Sequence, residues 1–332
     1  MKACIVGDGG WGTALALLLL QNGHDVVVWG PFEDYLAEIR ATGENSRYLP
    51  GVKLPPALKW TSDPVEAAAG AELVVLATPS HFCRGVCERF AGLVPGGVDV
   101  VSVAKGFCEQ TRRRLTVTAA DALGIRNVAA LSGPSHAEEV ARGVPTAVVI
   151  ASEDFEQARR LQAIFSGARF RAYTSTDPIG VELGGAVKNV LALAVGISDG
   201  LGFGDNSRAA LITRGLAEMA RLGTALGGQA ETFAGLSGLG DLVVTCTSRH
   251  SRNRGTGERL GRGEDLATIQ HGMKQVAEGV WNCAIVVELA RAHGVEMPIC
   301  ETVKAVLESR IAPGDAFELL MGRDVKPEAD GA

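Results

Sequence analysis

This sequence of 332 residues has few aromatic residues, no excess of positive charge and no long apolar run. Only 5% of the residues are aromatic, and 32 Lys and Arg against 38 Asp and Glu give a formal net charge of −6. A nucleic-acid-binding protein generally carries an excess of basic residues, so this balance argues against that class. No run reaches the roughly 18 consecutive apolar residues that are typical of a membrane span, and we expect none.

Clustered metal ligands are also missing. The seven cysteines are scattered, and the spacing of Cys83 and Cys87 matches no zinc or redox pattern. The six histidines show no pairing typical of ligands. We expect free thiols, no bound metal and a reducing compartment. Since the first residues also lack the basic start and cleavage site of a signal peptide, we expect a cytoplasmic protein.

Short β-rich runs alternate with helical stretches up to about residue 175. Seven strands are predicted, at Ala3–Val6, Asp25–Trp29, Leu73–Ala77, Val98–Val103, Val128–Leu131, Ala147–Ala151 and Phe170–Tyr173. This alternation predicts βαβ units and a largely parallel sheet, with the ligand at the carboxyl ends of the strands.

The later part of the sequence has a helical pattern, with polar, glycine-rich loops between the helices. Helices are predicted at Val181–Ile197, Arg208–Leu226, Val280–His293 and Glu301–Leu307. We therefore predict an α/β domain over residues 1–177 and an all-α domain over residues 178–332, with a cleft between them.

The stretch CIVGDGGWGTALALLL carries three spaced glycines after the first predicted strand and at the start of a helix. Gly7 permits a tight turn, Gly9 lets backbone N–H groups approach a pyrophosphate, and Gly12 lets the helix pack against the strand. The helix N-terminus adds a positive dipole end. The pattern predicts a Rossmann-type dinucleotide site.

The second predicted strand is followed by Gly30, Pro31, Phe32 and Glu33, with no Lys or Arg before Arg40. In such folds an acidic residue here favours the free 2′-hydroxyl of NAD, whereas a basic residue favours the 2′-phosphate of NADP. The segment favours NAD. The alternative is that Arg47, in ENSRYLPG, folds back to contact the 2′-phosphate of NADP.

One lysine interrupts an otherwise apolar stretch, GGAVKNVLALAVGISDG, at residues 184–200. A helix that is apolar on every face is normally buried, and lysine is almost never buried without a partner. The residues one helical turn from Lys188 offer no carboxylate. Either its ammonium group reaches water along its own stem, or a negative group approaches it from elsewhere in the fold.

Four further stretches place polar side chains at predicted strand ends or beside helices. They contain Lys105 in SVAKGF, Gly133 and Ser135 in LSGPSHAEEV, Asp241 in GLSGLGDLVVTC, and Ser251, Arg252 and Asn253 in SRHSRNRGTG. Each has an ordinary explanation as a solvated lysine, a turn, a helix cap or a surface loop. The last stretch is also suited to a phosphate monoester, because it offers a fork of donors.

Taken together, these motifs resemble the bacterial-type NAD(P)-dependent sn-glycerol-3-phosphate dehydrogenases. The resemblance runs in order over nearly the whole chain, through GDGGWGTALA, VAKG, LSGPSHAEEVARGVPTA, ELGGAVKNVLALAVGISDGLGFGDNSRAALITRGLAEM, GLGDLVVTCTSRHSRNRGTG and VAEG. It implies reversible reduction of dihydroxyacetone phosphate to sn-glycerol 3-phosphate with NAD(P)H. It also implies a supply of backbone for glycerophospholipid synthesis.

The resemblance further implies roles for individual residues. Lys188 becomes the catalytic acid and base. Substrate contacts are implied for Lys105, Gly133, Ser135, Lys188, Asp241, Ser251, Arg252 and Asn253. Cofactor contacts are implied for Gly10, Trp11, Lys105, Ala137, Arg252, Val276 and Glu278, in addition to Gly7, Gly9 and Gly12 of the turn. Pro31 stands where relatives often carry a basic or imidazole side chain, and so departs from the pattern.

The sequence leaves the pKa of Lys188 and two alternative functions open. Burial would lower the pKa of Lys188 and Asp241 would raise it, and the sequence does not decide between them. Two alternatives are another two-domain dehydrogenase acting on a β-hydroxy or sugar acid, and a dinucleotide sensor without catalysis. A small phosphorylated substrate and a homodimer are the partners that we expect.

Overall fold

The structure is a computed structural model that describes residues 1–272, residues 277–324 and residue 328. Within this part of the chain, eight strands form one sheet. They are β1 (Lys2–Val6), β2 (Asp25–Trp29), β3 (Lys59–Thr61), β4 (Leu73–Leu76), β5 (Asp99–Ser102), β6 (Ala129–Ser132), β7 (Thr146–Ala151) and β8 (Phe170–Ser175).

The sheet has the order β3-β2-β1-β4-β5-β6-β7-β8. Each neighbouring pair is parallel except β6 and β7, which are antiparallel. The first six strands have the order of a dinucleotide-binding domain, whose ligand lies beyond the carboxyl ends of the strands. The predicted Rossmann-type α/β fold with a mostly parallel sheet is confirmed.

Alternate residues of each inner strand enter two different cores, because successive side chains of a strand point to opposite faces. In β1, Ala3 and Ile5 belong to one core, while Cys4 and Val6 belong to the other. The helices of this half are α1 (Gly10–Gln21), α2 (Glu33–Thr42), α3 (Pro64–Ala68), α4 (Cys83–Phe90), α5 (Leu115–Leu123), α6 (Ala137–Ala141) and α7 (Phe155–Phe165).

The rest of the described chain is helical. Its helices are α8 (Pro178–Gly200), α9 (Asp205–Ala225), α10 (Ala230–Ala234), α11 (Asp241–Thr247), α12 (Arg252–Gly261), α13 (Leu266–His271), α14 (Glu278–Ala292), α15 (Pro298–Leu307) and α16 (Pro313–Met321). The predicted all-α architecture of this half is confirmed.

Helix α8 is the core around which the other helices of this half pack. It begins at a favourable N-terminus, since the Asp177 side chain accepts a hydrogen bond from the Gly180 N–H and Pro178 is the first helical residue. All residues from Val181 to Ser198 are buried. The helix is long and apolar enough to cross a membrane, but 89% of its most apolar window is buried inside the protein.

Glycines let α8 and α12 cross at backbone contact. A Cβ on Gly196 or Gly200 of α8 would overlap the carbonyl oxygens of Arg254 and Glu258 on α12. Reciprocally, a Cβ on Gly257 of α12 would overlap the carbonyl oxygen of Leu193 on α8. At the N-terminus of α12, Nδ2 of Asn253 donates a hydrogen bond to Oδ1 of Asn189 on α8.

Several elements of the structure were not predicted from the sequence. Strand β3 was not predicted, because three residues are too few to show an alternating pattern. The glycine-rich stretches between predicted helices were expected to be loops, but they contain α11 and α12. Glycine weakens a helix in isolation, and here close packing against α8 compensates for that loss.

We expect the substitution Gly196→Ala to destabilise the protein. The added methyl group has no space between α8 and the backbone of α12, and overpacking of this kind costs about 1–3 kcal/mol. The measurement is the free energy of unfolding by urea denaturation.

The matched control is Gly255→Ala on α12, where a Cβ would meet nothing within 4 Å. Alanine should be neutral or stabilising there, because it has the higher helix propensity. Equal stability of the two variants would show that the crossing is not tightly packed.

Candidate active site

The glycine turn between β1 and α1 has the geometry that its spacing predicts. Gly7 has φ +132°, and a Cβ on it would lie 2.7 Å from the carbonyl oxygen of Ala77. A Cβ on Gly12 would overlap the carbonyl oxygen of Gly7, so the third glycine lets α1 pack against the turn. A Cβ on Gly10 would lie 2.5 Å from the carbonyl oxygen of Tyr48 and 3.7 Å from the Cβ of Ala137.

The N-terminus of α1 is open to a ligand. Gly9 is the N-cap, and a Cβ on it would meet nothing within 4 Å in the described chain. The first turn, with Gly10, Trp11 and Gly12, contains no acidic side chain that would compete for the N–H groups. This cradle fits a dinucleotide pyrophosphate. Trp11 and Ala137 both pack at its edge, against the core beneath the turn.

Lysine 188 has the partner that its burial requires. Its Nζ lies 2.7 Å from Oδ1 of Asp241 and 2.7 Å from Oγ1 of Thr245. Asp241 and Thr245 lie one turn apart on α11, so one face of that short helix supplies both acceptors. The carboxylate comes from 53 residues further along the chain, as the second of the two sequence interpretations required.

A second lysine binds the same carboxylate. Nζ of Lys105, which follows β5, lies 2.6 Å from Oδ2 of Asp241 and 3.0 Å from the carbonyl oxygen of Gly133. Asp241 is only 1% exposed, so its charge is held almost entirely by these two ammonium groups. The cluster joins the β5 and β6 ends of the sheet to α8 and α11.

Burial decides the protonation of Lys188. Desolvation lowers its pKa to about 8, because the favourable attraction of Asp241 is outweighed by burial and by repulsion from Lys105. For Asp241, burial alone would raise the pKa, but the two ammonium groups together hold it below its usual value. Lys188 is therefore poised to change its charge near neutral pH, while Asp241 stays ionised.

Histidine 136 faces the same cluster. Burial and the nearby positive charge of Lys188 both lower its pKa, so the imidazole is neutral in the range where Lys188 titrates. Its Nε2 atom is buried and has no hydrogen-bond partner among the residues that the structure describes. The sequence analysis did not single out His136 or Thr245. Thr245 follows Asp241 by four residues, and this spacing places both side chains on one face of a helix.

Of the other predicted substrate residues, Gly133 and Ser135 lie beside this cluster, whereas Ser251 and Arg252 lie at the start of α12. Gly133 has φ +135°, and its carbonyl oxygen accepts hydrogen bonds from Lys105 Nζ and, at 3.0 Å, from Ser135 Oγ. Ser251 is the N-cap of α12, where Oγ accepts from the Arg254 N–H at 3.2 Å. Arg252, the first residue of α12, is exposed to solvent.

Both polar atoms of the Asn253 side-chain amide form hydrogen bonds. Its Nδ2 donates to Oδ1 of Asn189 at 2.9 Å, and its Oδ1 accepts from the Gly279 N–H at 2.8 Å. The side chain therefore fixes the start of α12 against α8 and α14. This position holds Arg252 at the edge of the site.

One predicted cofactor residue, Glu278, begins α14. Glu278 accepts hydrogen bonds from Ser80, one of them from the Ser80 N–H at 3.2 Å and the other from its hydroxyl. Ser80 follows β4, so this pair ties the helical half to the carboxyl ends of the strands. Val276 lies outside the described residues.

No group of three or more His, Cys, Asp or Glu residues that could hold a metal ion occurs in the parts of the chain covered by the structure. All seven cysteines are buried and free.

Comparison with known proteins identifies the family of this chain. Two family models, described as the N-terminus and the C-terminus of NAD-dependent glycerol-3-phosphate dehydrogenase, match residues 2–158 and 177–318. Two curated proteins named glycerol-3-phosphate dehydrogenase, NAD(P)+ dependent, are similar over almost the whole chain. The protein from Moorella thermoacetica is 50% identical over 319 residues, which cover 96% of this chain and 95% of that one. The protein from Geobacillus kaustophilus is 48% identical over 98% of this chain and 96% of its own.

A solved structure supports the same assignment. The crystal structure of glycerol-3-phosphate dehydrogenase from Coxiella burnetii matches with a TM-score of 0.93 at 42% identity, covering 97% of this chain and 99% of that one. The resemblance noted in the sequence is confirmed: the chain belongs to the family of NAD-dependent glycerol-3-phosphate dehydrogenases.

Proposed function

We propose that this protein reversibly reduces dihydroxyacetone phosphate to sn-glycerol 3-phosphate with NAD(P)H, and that it supplies backbone for glycerophospholipids. The observation that carries the proposal is the buried ammonium group of Lys188, held at 2.7 Å from both Asp241 and Thr245. A ketone reduction needs one group that can give a proton near neutral pH. The pKa of about 8 suits Lys188 to that task.

The proposed chemistry divides between cofactor and protein. When bound, the nicotinamide supplies a hydride to C2 of the ketone. Lys188 donates a proton from Nζ to the C2 oxygen, which completes the hydroxyl group, and in the reverse direction it takes that proton back. Asp241 and Thr245 orient Nζ, and Lys105 stabilises the negative charge that develops on the oxygen.

The dinucleotide is proposed to lie on the glycine turn. The open N-terminus of α1 and the absence of an acidic side chain in its first turn support this assignment. The residues proposed to contact the cofactor are Gly7, Gly9, Gly10, Trp11, Gly12, Lys105, Ala137, Arg252, Val276 and Glu278.

The substrate is proposed to lie between the sheet and the helical half, with its phosphate near the start of α12. Arg252 supplies a charge-assisted contact to that phosphate, supported by its exposure at the start of α12. Further substrate contacts are proposed for Lys105, Gly133, Ser135, Asp241, Ser251 and Asn253. On this basis we propose residues 1–177 as the nucleotide-binding domain and residues 178–332 as the substrate domain.

The location and the assembly are part of the same proposal. Seven buried free thiols support a reducing compartment, which is the cytoplasm in our proposal. We expect a homodimer, and sedimentation equilibrium of the purified protein tests that expectation. A monomer at micromolar concentration would contradict it.

We expect Lys188→Ala to fold and to bind NADH, but to lose roughly 10²- to 10⁴-fold in kcat for reduction of dihydroxyacetone phosphate. The variant keeps the Lys105–Asp241 ion pair, so the remaining charges stay balanced. The measurement is NADH oxidation at saturating substrate, with NADH binding measured separately by fluorescence.

The control is Lys59→Ala, which removes one positive charge from an exposed ion pair with Asp25. Its turnover should match that of the wild type. Turnover of Lys188→Ala close to that of the control would refute the assignment. Wild-type protein that binds NADH but does not turn over dihydroxyacetone phosphate would favour the sensor or another hydroxy-acid substrate.

The kcat/KM values for ketone reduction and for alcohol oxidation should depend on pH in opposite ways. Reduction needs the charged form of Lys188, so its kcat/KM should fall as the pH rises through about 8. Oxidation needs the neutral amine, so its kcat/KM should rise over the same range. The kcat/KM profiles report groups of the free enzyme and substrate. The phosphate of the substrate titrates near ~6 and is separate. Profiles that are flat between pH 7 and 9 would contradict this role for Lys188.

Arg252→Ala should raise the KM for dihydroxyacetone phosphate by about 10- to 100-fold, since a hydrogen bond to a charged group contributes about 1.5–3 kcal/mol. The KM for NADH should change much less. Arg262→Ala, at the exposed far end of α12, is the matched control and should leave both values unchanged. An unchanged KM in Arg252→Ala would assign the SRNR stretch to the surface of the protein.

A further inference from the structure

Asp8, the second residue of the glycine turn, points its carboxylate at the end of β2. A Cβ on Gly30, the residue that follows β2, would lie 2.8 Å from Cγ and 2.9 Å from Oδ2 of Asp8. The carboxylate therefore lies directly against the backbone of Gly30. The space that a side chain at residue 30 would need is already filled by Asp8.

One oxygen of this carboxylate lacks a donor. Oδ2 of Asp8 is buried and has no hydrogen-bond partner within residues 1–272, residues 277–324 or residue 328. Burial raises the pKa of Asp8, although its own backbone amide and the charge of Arg47 act against that rise. A buried carboxylate oxygen without a donor is costly, and a ligand hydroxyl would remove that cost.

The position of this oxygen in the fold identifies the ligand group. In dinucleotide-binding folds of this strand order, the side chain at the end of β2 faces the ribose of the adenosine, and an acidic residue there binds its 2′-hydroxyl. Here that position is Gly30, which has no side chain. Glu33 is engaged elsewhere, since it bonds Arg40 and, at 2.8 Å, the hydroxyl group of Ser62.

Arg47 is the nearby group that a 2′-phosphate could use. Its guanidinium stacks over the ring of Tyr35 with 4.1 Å to the centroid, and its charge acts on Asp8. A 2′-phosphate placed there would meet the positive charge of Arg47 and the negative charge of Asp8 together. The carboxylate therefore opposes the contact with NADP that the arginine would favour.

We propose that Asp8 accepts the adenosine 2′-hydroxyl of NAD and disfavours the 2′-phosphate of NADP, so that a residue of the glycine turn sets the cofactor preference. The proposal rests on the dinucleotide site of the proposed function. It assigns to Asp8 the role that usually belongs to the residue after β2.

The test measures binding of two nucleotide fragments that differ by one phosphate, ADP-ribose and 2′-phospho-ADP-ribose, by isothermal titration calorimetry. Wild-type protein should bind ADP-ribose at least tenfold more tightly. Asp8→Ala should weaken ADP-ribose binding about tenfold, by loss of a hydrogen bond to a charged group, and should strengthen binding of the phosphorylated fragment. Steady-state kcat/KM values with NADH and NADPH should shift in the same direction.

Two further variants separate the effect of the Asp8 carboxylate from the effects of Glu33 and Arg47. Glu33→Gln removes a neighbouring carboxylate and should leave the preference unchanged. Adding Arg47→Gln to Asp8→Ala should remove the gained affinity for 2′-phospho-ADP-ribose. Asp8→Asn, which keeps the shape and loses the charge, replaces Asp8→Ala if that variant does not fold.

An unchanged ratio of the two affinities in both Asp8 variants would overturn the proposal, as would a wild-type preference for the phosphorylated fragment. Wild-type protein that binds neither fragment would instead refute the dinucleotide site itself. The two failures are thus distinguishable.

Discussion

The carboxylate of Asp241 holds the site together. It is buried between two ammonium groups, one from the sheet half and one from the helical half. Removing Asp241 would leave two ammonium groups without a counter-charge, and the loss of the partner of a buried charge costs about 3–5 kcal/mol. The two halves of the chain are therefore held in one arrangement by electrostatics as well as by packing.

This constraint explains why α8 is apolar on all sides. A lysine surrounded by apolar residues loses hydration, and this loss brings the pKa of Lys188 down to about 8 despite the adjacent carboxylate. An exposed lysine would keep its ordinary pKa and would be a poor base at neutral pH. The burial of the helix thus sets the pKa of Lys188, and the glycines that let α12 pack against it bring Asn253 into contact with Asn189 on α8.

The sequence predicted the parts of the fold that follow local rules. Seven of the strands, the glycine turn and the core helix follow from periodicity and spacing, and the anomaly of a lysine in α8 pointed to the site. Periodicity and spacing did not identify the partner of Lys188, because Asp241 lies 53 residues away and the packing of α11 on α8 brings the two together; only the family resemblance placed Asp241 beside this lysine. The sequence also missed α11, which has only seven residues, and α12, whose glycines pack against the backbone of α8 and are unfavourable by local propensity alone.

Asp8 and Gly30 show why position in a motif is not enough to assign a role. The two residues are distant in sequence but share one space, so a side chain at residue 30 and a carboxylate at residue 8 exclude each other. The motif assigns the ribose contact to the residue at the end of β2, which here is Gly30 and has no side chain. In the structure, the carboxylate of Asp8, from the neighbouring glycine turn, lies at that place. In our proposal, the cofactor preference of this protein depends on the charge that occupies that space, and Asp8 of the glycine turn supplies it.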